Sequence, residues 1–444
     1  MVVLAGLGPI GVMVLALIGY RWMPKRMPIT IAVWVSLVFV ITGIYFYREM
    51  MHGIWEMWLL LLVDLIAAGS AWDSIWWIRE HHTVKLLRYY VWWALFWLAL
   101  VIIATAGNLV LAWLAIEFST LASGALIVEM GHRRALEAAW KYIVVASVGM
   151  LMAIIGIVFL YASLQFEHLG WHTLDYTNLH AHFLAISPIV RKMATILIVC
   201  GIGTKAGLVP FHTWLPDAHS VAPSPISGLL SGILLGVSLV TIDQFVAAVP
   251  LSSHVLLSGQ HLLLFFGTLS VVVGTLAILV QTDIKRMLAY SSIEQVGIMA
   301  IGFGIGTPYA QEAAILQLVF HAMIKSGLFY ISGHLSVRYH SIHLPQMTDM
   351  IRRHRKLALA WAIGILALAG LPPLGLAFSE WMILYGLWSS HLWVFLIVLS
   401  ISLMLGFAAL MHHLISGLWG ETNRSLEQKE AFGRIAITGG VSHE

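Results

Sequence analysis

About thirteen apolar stretches, each long enough to cross a bilayer, follow one another along this 444-residue chain. By hydropathy they fall roughly at 2–22, 28–47, 55–78, 88–106, 108–128, 138–162, 193–212, 225–248, 260–281, 284–306, 311–336, 357–388 and 391–415. Inside hydrocarbon every backbone polar group must find a partner within the chain, so repeated runs of this length predict an all-α polytopic membrane protein. Composition agrees. The chain is 60% hydrophobic and 10% charged, with a mean hydropathy of +0.90, outside the range of soluble globular domains. Its tryptophans cluster in segments such as WDSIWWIRE and YYVWWALFW, as in interfacial belts. MVVLAGLGPIGVMVLALIGYRWMPKR lacks the positive start of a signal peptide and reads as the first span.

Charge distribution sets an orientation. Of the 24 Lys and Arg, Arg48, Arg191 and Lys192 follow even-numbered spans, Lys205 and Lys325 lie within spans, and all others follow odd-numbered ones. Positive loops stay in the cytoplasm, so the N-terminus is expected outside and the C-terminus inside. Cys200 stands alone, which excludes an internal disulfide and a cysteine-ligated iron–sulfur cluster within the chain. No Walker A, dinucleotide fingerprint or nucleophile elbow is present. GIGTKAGL is glycine-rich but lacks a preceding strand and a terminal GK[ST], so it is not a phosphate loop. Nothing suggests nucleic-acid binding.

The ionisable residues inside spans carry the functional reading. Lys205 lies at bilayer depth in GIGTKAGLVP, among Gly201, Gly203, Gly207 and Pro210, which should weaken the helix there. A lysine snorkelling from a helix end is the alternative. Glu117 sits mid-span in WLAIEFSTL, where a carboxylate stays charged only with a nearby cation. His321 and Lys325 are at i and i+4 in the eleventh span and share a face, which points to an internal wet path; each could also be a packing residue. The twelfth span is interrupted at LAGLPPLGLAFSE by Pro372, Pro373 and Gly375, and Glu380 follows. Paired interruptions in corresponding halves point to a transport site. Ser227 and Ser231 of the eighth span can support water. His212, Asp217 and His219 end the seventh span in VPFHTWLPDAHS; the spacing fits no zinc pattern, and His212 suits proton entry at the cytoplasmic mouth.

The segment TKAGLVPFHTWLPDAHSVAPSPISGLLSGILL resembles the signature of the antiporter-like subunits of respiratory complex I, Mrp-type cation/proton antiporters and membrane-bound hydrogenases. LAWLAIEFSTLASGALI (111–127) followed by LEAAWKYIV (136–144) is most similar to the component F type of hydrogenase-4. The resemblance spans roughly residues 85–415. It implies a three-helix segment at 1–84, two inverted five-helix repeats at 85–248 and 249–415, with the seventh and twelfth helices broken, and a polar tail at 416–444. Relatives of this kind usually have fourteen spans, so a fourteenth span and a lateral helix are expected to be missing.

By the same resemblance Glu117 pairs with Lys205, Lys325 or His321 is the central relay, and Glu380 is the terminal exchange site. Glu294 matches the family's SSxE pattern as a polar helix contact or a purely structural residue. The eighth-span lysine of many complex I relatives is absent, and Gly236 stands near its place. Opposite charges 4 Å apart attract by about 4 kcal/mol at an effective dielectric near 20. Glu117 close by would keep Lys205 protonated, and its withdrawal would release the proton inward. The implied function is a proton-translocating subunit of a redox-linked complex of the hydrogenase-4, formate-hydrogenlyase or complex I type, in a prokaryotic inner membrane. Nickel–iron and iron–sulfur centres would belong to other membrane and peripheral subunits, with no cofactor in this chain. The alternatives are a subunit of an Mrp-type exchanger, carrying Na⁺ as well as protons, and a membrane partner of a carbon-uptake complex.

Overall fold

The computed structural model describes residues 2–22, 25–49, 55–81, 85–164, 170–250 and 257–420; the rest of the polar tail, with Arg424, Lys429 and Arg434, lies outside the described residues. The first three helices are α1 (Val2–Trp22), α2 (Met27–Glu49) and α3 (Trp55–Glu80). Then come α4 (Leu86–Thr105), α5 (Leu109–Val128), α6 (Arg133–Ser163), the short α7 (Tyr176–His182), α8 (Pro188–Ala206) and α9 (Trp214–Val221). The eighth span is α10 (Ser224–Leu229), a π-turn at Leu230–Leu234, and α11 (Leu235–Ala248). The remainder comprises α12 (Gly259–Val280), α13 (Ile284–Ile305), α14 (Pro308–Tyr339), α15 (Met350–Arg353), α16 (Arg355–Leu368), α17 (Gly375–Ser389) and α18 (Trp393–Trp419).

Eleven of these segments are long and apolar enough to span a membrane. The other two of the thirteen expected are α1 (Val2–Trp22) and the divided pair α16–α17.

Both expected interruptions exist and share one construction. At the end of α8, Gly207 takes φ +78° and the Leu208 amide donates back to Gly203 O at 2.9 Å. At the end of α16, Gly370 takes φ +69° and the Leu371 amide donates back to Leu366 O at 3.2 Å. A left-handed glycine lets the last turn close on itself, and Pro210 or Pro372–Pro373 then prevents its continuation. Gly201 and Gly203 do not break α8, contrary to expectation. Gly201 serves close packing instead: a Cβ there would lie 2.6 Å from Gly149 O and Ala153 N of α6.

A second device also recurs. Asn108 caps α5, its Oδ1 accepting from Val110 N at 2.9 Å and Leu111 N at 3.3 Å, and pairs as an isolated bridge with Asp175. Asp283 caps α13, its Oδ1 accepting from Lys285 N at 2.8 Å and Arg286 N at 3.0 Å, and pairs with His343. The Asn108 amide also donates to Asp175 at 2.7 Å, tying the loop before α8 to the head of α5. Asn108→Ala should therefore cost about 1 kcal/mol for the cap, lowering the melting temperature in detergent by on the order of 2 °C. An unchanged melting curve would show that the cap contributes nothing.

Candidate functional site

Lys205 is the last charged residue before the α8 break, and its side chain is 0% exposed. Its Nζ donates to Thr120 Oγ1 of α5 at 2.8 Å and to the Tyr142 hydroxyl of α6. The ammonium lies 4.6 Å from the Tyr142 ring centre and 5.9 Å from that of Trp214. Trp214, first residue of α9, donates its Nε1–H at 2.9 Å to Thr204 O, a carbonyl of the last turn of α8 that also accepts from the Gly207 amide at 3.3 Å. The break is thus closed by an aromatic side chain that also lines the lysine's pocket. Snorkelling is excluded by this geometry, because the ammonium points into protein rather than toward an interface.

Glu117 stands three residues before Thr120, one turn away on α5. It is half-buried, with Oε1 accepting from Ser147 Oγ of α6 at 2.5 Å and Oε2 buried without a partner. No carboxylate oxygen of a described residue lies within 4.0 Å of Lys205, so the two charges do not touch. Glu117 remains near enough to act on Lys205 electrostatically. Tyr142 links to Ser123 Oγ at 2.8 Å, extending the hydroxyl cluster along α5.

Lys325 on α14 is built alike. It is 0% exposed and donates to Leu288 O of α13 at 2.5 Å and to Ser291 Oγ. His321, one turn away, contacts Ser231 O at 3.3 Å through Nε2, while its Nδ1 is buried without a partner. Ser231 belongs to the π-turn, and its Oγ pairs with Ser292 Oγ at 2.7 Å. Ser227 Oγ is buried and unpartnered. The eighth span thus brings a widened turn and hydroxyls between the halves. At Gly236, where the lysine is missing, Leu318 of α14 packs so closely that a Cβ would lie 2.9 Å from it.

Glu294 is buried one turn beyond Ser291 and accepts from Thr275 Oγ1 of α12 at 2.6 Å. It acts electrostatically on both Lys325 and Glu380. Glu380 is buried in α17 against the twelfth-span break: a Cβ at Gly370 would collide with its carboxyl group. Gln295 and Gln317 face it; Gln317 Nε2 donates to Gln295 Oε1 at 2.5 Å and the Ser379 hydroxyl donates to Gln317. Lys325, Glu294 and Glu380 therefore follow one another through a polar seam between α12, α13, α14 and α17.

His212 is half-buried in the turn between α8 and α9, 6.5 Å from the Tyr290 ring, with an unpartnered Nδ1. Asp217, Ser220 and Val221 of α9 line an open cavity of about 450 Å³ that also gathers Arg134, Lys141 and Arg286. Asp217 pairs there with Arg286 at 3.1 Å and Lys141 at 3.7 Å. A neighbouring cavity of about 240 Å³ reaches Ser224 and Lys285. His219 is buried beside it, stacked on Phe329 at 4.8 Å, with both ring nitrogens unpartnered. No cluster of described residues could hold a metal ion.

Sequence reading missed the groups that actually hold the lysines: Thr120, Tyr142, Ser291 and Leu288 O. Thr120 was findable one turn from Glu117, and Tyr142 lies within LEAAWKYIV. It also passed over two carboxylates in α3. Asp64 accepts from Thr42 at 2.8 Å and Trp97 Nε1 at 3.0 Å, and Asp73 meets His334 of α14 at 3.2 Å.

Known proteins place this construction. Residues 106–406 match the family model described as NADH:quinone oxidoreductase/Mrp antiporter, transmembrane. The chain is 36% identical over 280 residues to a hydrogenase-4 component F homolog of Methylacidiphilum infernorum, covering 63% of this chain and 59% of that protein. It is 31% identical over 304 residues to NADH-quinone oxidoreductase subunit N of Desulforudis audaxviator, covering 67% and 58%. The matches thus span somewhat under two thirds of those relatives' length. Two solved structures share the fold. A chain of the Mrp complex from Dietzia sp. DQ12-45-1b has a TM-score of 0.80 at 18% identity, covering 95% of this chain and 80% of that one. A chain of the membrane-bound sulfane sulfur reductase, an archaeal respiratory membrane complex, has a TM-score of 0.81 at 22% identity, covering 94% and 87%. With the family model matching residues 106–406, more than half its length, the chain belongs to the NADH:quinone oxidoreductase/Mrp antiporter transmembrane family.

Proposed function

We propose that this chain moves protons across the membrane through two buried relay groups, Lys205 and Lys325, flanked by Glu117 on one side and by Glu294 and Glu380 on the other. One observation carries the reading. Both lysines are fully buried, yet their ammonium groups rest on hydroxyls and a carbonyl instead of carboxylates. A lysine at bilayer depth costs several kcal/mol, and a purely structural site would neutralise it with a direct ion pair. Neutral oxygen partners hold either protonation state, because a hydroxyl can donate to an amine as readily as it accepts from an ammonium. Glu117, held off by Ser147, then acts as the switch. Its approach favours the charged lysine, and its withdrawal favours release. His321, with one free nitrogen, is the group through which Lys325 exchanges toward Ser231 and the π-turn.

The two halves are read as inverted repeats, residues 85–248 and 249–415. The paired Schellman glycines and the paired capped heads of α5 and α13 favour this division. Five crossings separate Asn108 from Asp283, so the repeated heads would lie on opposite faces. The cavity holding Arg134, Lys141 and Arg286 is assigned to the cytoplasmic face because these residues belong to the Lys- and Arg-rich side of the chain, which puts the N-terminus outside. The parent assembly is read as a redox-linked complex whose other subunits carry electrons and their nickel–iron and iron–sulfur centres. Similarity to hydrogenase-4 and NADH-quinone oxidoreductase subunits supports this. Co-purification tests it: hydrogenase-like or quinone-oxidoreductase subunits are expected, and a set of small exchanger subunits with Na⁺ transport would contradict it. Within the relay, Glu380→Gln should lower proton translocation about tenfold, or about 1.4 kcal/mol of barrier, with assembly intact. Wild-type translocation in that variant would remove Glu380 from the path.

A further inference from the structure

The helix that lacks the expected lysine carries another ionisable group. Asp243 lies seven residues beyond Gly236 on α11, two turns along the same face. It is half-buried on the wall of a cavity of about 220 Å³. Val240, Phe303 and Ile315 make the apolar sides, and Gln244 and Gln311 add polar groups. That space is large enough for several waters.

Asp243 is the only titratable side chain on this wall among the described residues. Glu312, next to Gln311 on α14, is exposed and is not part of it. Gln311 of α14 lines the same cavity as Asp243. It stands on the same helix as His321, ten residues and about 15 Å away.

The cavity opens at the far end of the eighth span from the pocket that reaches Ser224 and Lys285. Nineteen residues from Ser224 to Asp243 correspond to about 28 Å of helix, the thickness of a hydrocarbon core. Leu318, which stands between Gln311 and His321 on α14, packs on Gly236 of α11.

Resting on the relay reading above, we propose that Asp243 is the proton-exchange group of a water-filled half-channel, on the membrane face opposite Lys285, that passes protons to and from His321 past the Leu318–Gly236 contact. The carboxylate accepts one proton from cavity water and becomes a neutral carboxylic acid. It returns that proton through water bridging toward the free His321 nitrogen, or back to the outside. In this chain the relay is reached from the cavity side by a carboxylate near the surface, in place of a lysine in the centre of the eighth span.

The test uses the assembled complex in liposomes. In a Cys200→Ser background, Asp243→Cys should react with a membrane-impermeant cationic thiol reagent applied to the face opposite Lys285, and not from the Lys285 face. Asp243→Asn should lower proton translocation about tenfold while Asp243→Glu retains it. Lys205→Ala, measured alongside, separates the two ideas. If Lys205→Ala translocates normally, the relay reading itself fails. If Lys205→Ala stops translocation while Asp243→Asn matches wild type, the half-channel assignment alone is overturned. Absence of labelling from the expected face overturns it too, and that readout decides the matter should Asp243→Asn not assemble.

Discussion

Lys205→Ala should lower proton translocation by the assembled complex at least about a hundredfold, equivalent to about 2.7 kcal/mol of barrier. The reason is local. Thr120 and Tyr142 converge on the ammonium, and without it two neutral hydroxyls face an apolar gap beside Trp214. Neither hydroxyl ionises readily at neutral pH, so the cluster can still hold water but has no group that stores a proton. Glu117, one turn away, loses the charge it acts on, and its unpartnered Oε2 becomes a buried group with nothing to attract it. Lys205→Arg should not restore the wild-type rate. A guanidinium does not release its proton in a protein, and its planar fork does not fit partners arranged for a point charge. Dye-quench measurements of the pH gradient in liposomes read both variants. Near-normal translocation in Lys205→Arg would show that a fixed positive charge suffices, and that Lys205 does not itself carry the proton.

The second large effect is structural. Gly297→Leu should destabilise the chain by more than about 3 kcal/mol, seen as a sharply reduced yield of folded protein in detergent. A Cβ at Gly297 would lie 2.6 Å from Gly267 O and 2.8 Å from Val271 N, and one at Gly267 would lie 2.8 Å from Gly297 O. Helices α12 and α13 meet backbone to backbone here, so no side-chain rotation can relieve the clash. The helices must separate, and Glu294, less than one turn away, is carried off Thr275 with them. Gly327 on α14 provides the contrast, since nothing lies within 4 Å of a Cβ there. Gly327→Ala should be neutral or stabilise the helix by up to about 1 kcal/mol. Equal melting temperatures for Gly297→Leu and wild type would show that the two helices are not held at the contact described.

Much of this was legible in the sequence because bilayer physics leaves few choices. Apolar length predicted the spans. Gly207 with Pro210 predicted the first break and Pro372, Pro373 and Gly375 the second; the breaks are found at Gly207–Pro210 and Gly370–Pro373, with Gly375 opening the next helix. An i, i+4 relation predicted that His321 and Lys325 share a face. What was not legible depended on distances across helices. Gly201 looked like a helix breaker, but a glycine in a long helix also permits another backbone to approach, and only the position of α6 decides between them. The Glu117–Lys205 pair was expected from the family resemblance, with the need of a buried carboxylate for a cation beside it. The lysine instead takes oxygens from Thr120 and Tyr142, because helical spacing fixes a residue's face but not which of several acceptors its long side chain reaches. The π-turn at Leu230–Leu234 had no marker beyond the small residues Ser227, Gly228, Ser231 and Gly232. The seam from Glu294 through Gln295, Gln317 and Ser379 to Glu380 draws on the consecutive helices α13 and α14 and on the more distant α17, and no local pattern announces it.

The most direct measurement is the number of protons moved per turnover by the reconstituted complex, compared between wild type, Lys205→Ala and Lys325→Ala, with subunit content and electron transfer recorded in the same vesicles. A relay through the two buried lysines predicts that the complex stays assembled and electrons still flow, while the protons moved per turnover fall in both variants. An unchanged ratio in both variants would mean that protons cross elsewhere, and that Thr120, Tyr142 and Ser291 hold the two lysines for structural reasons alone.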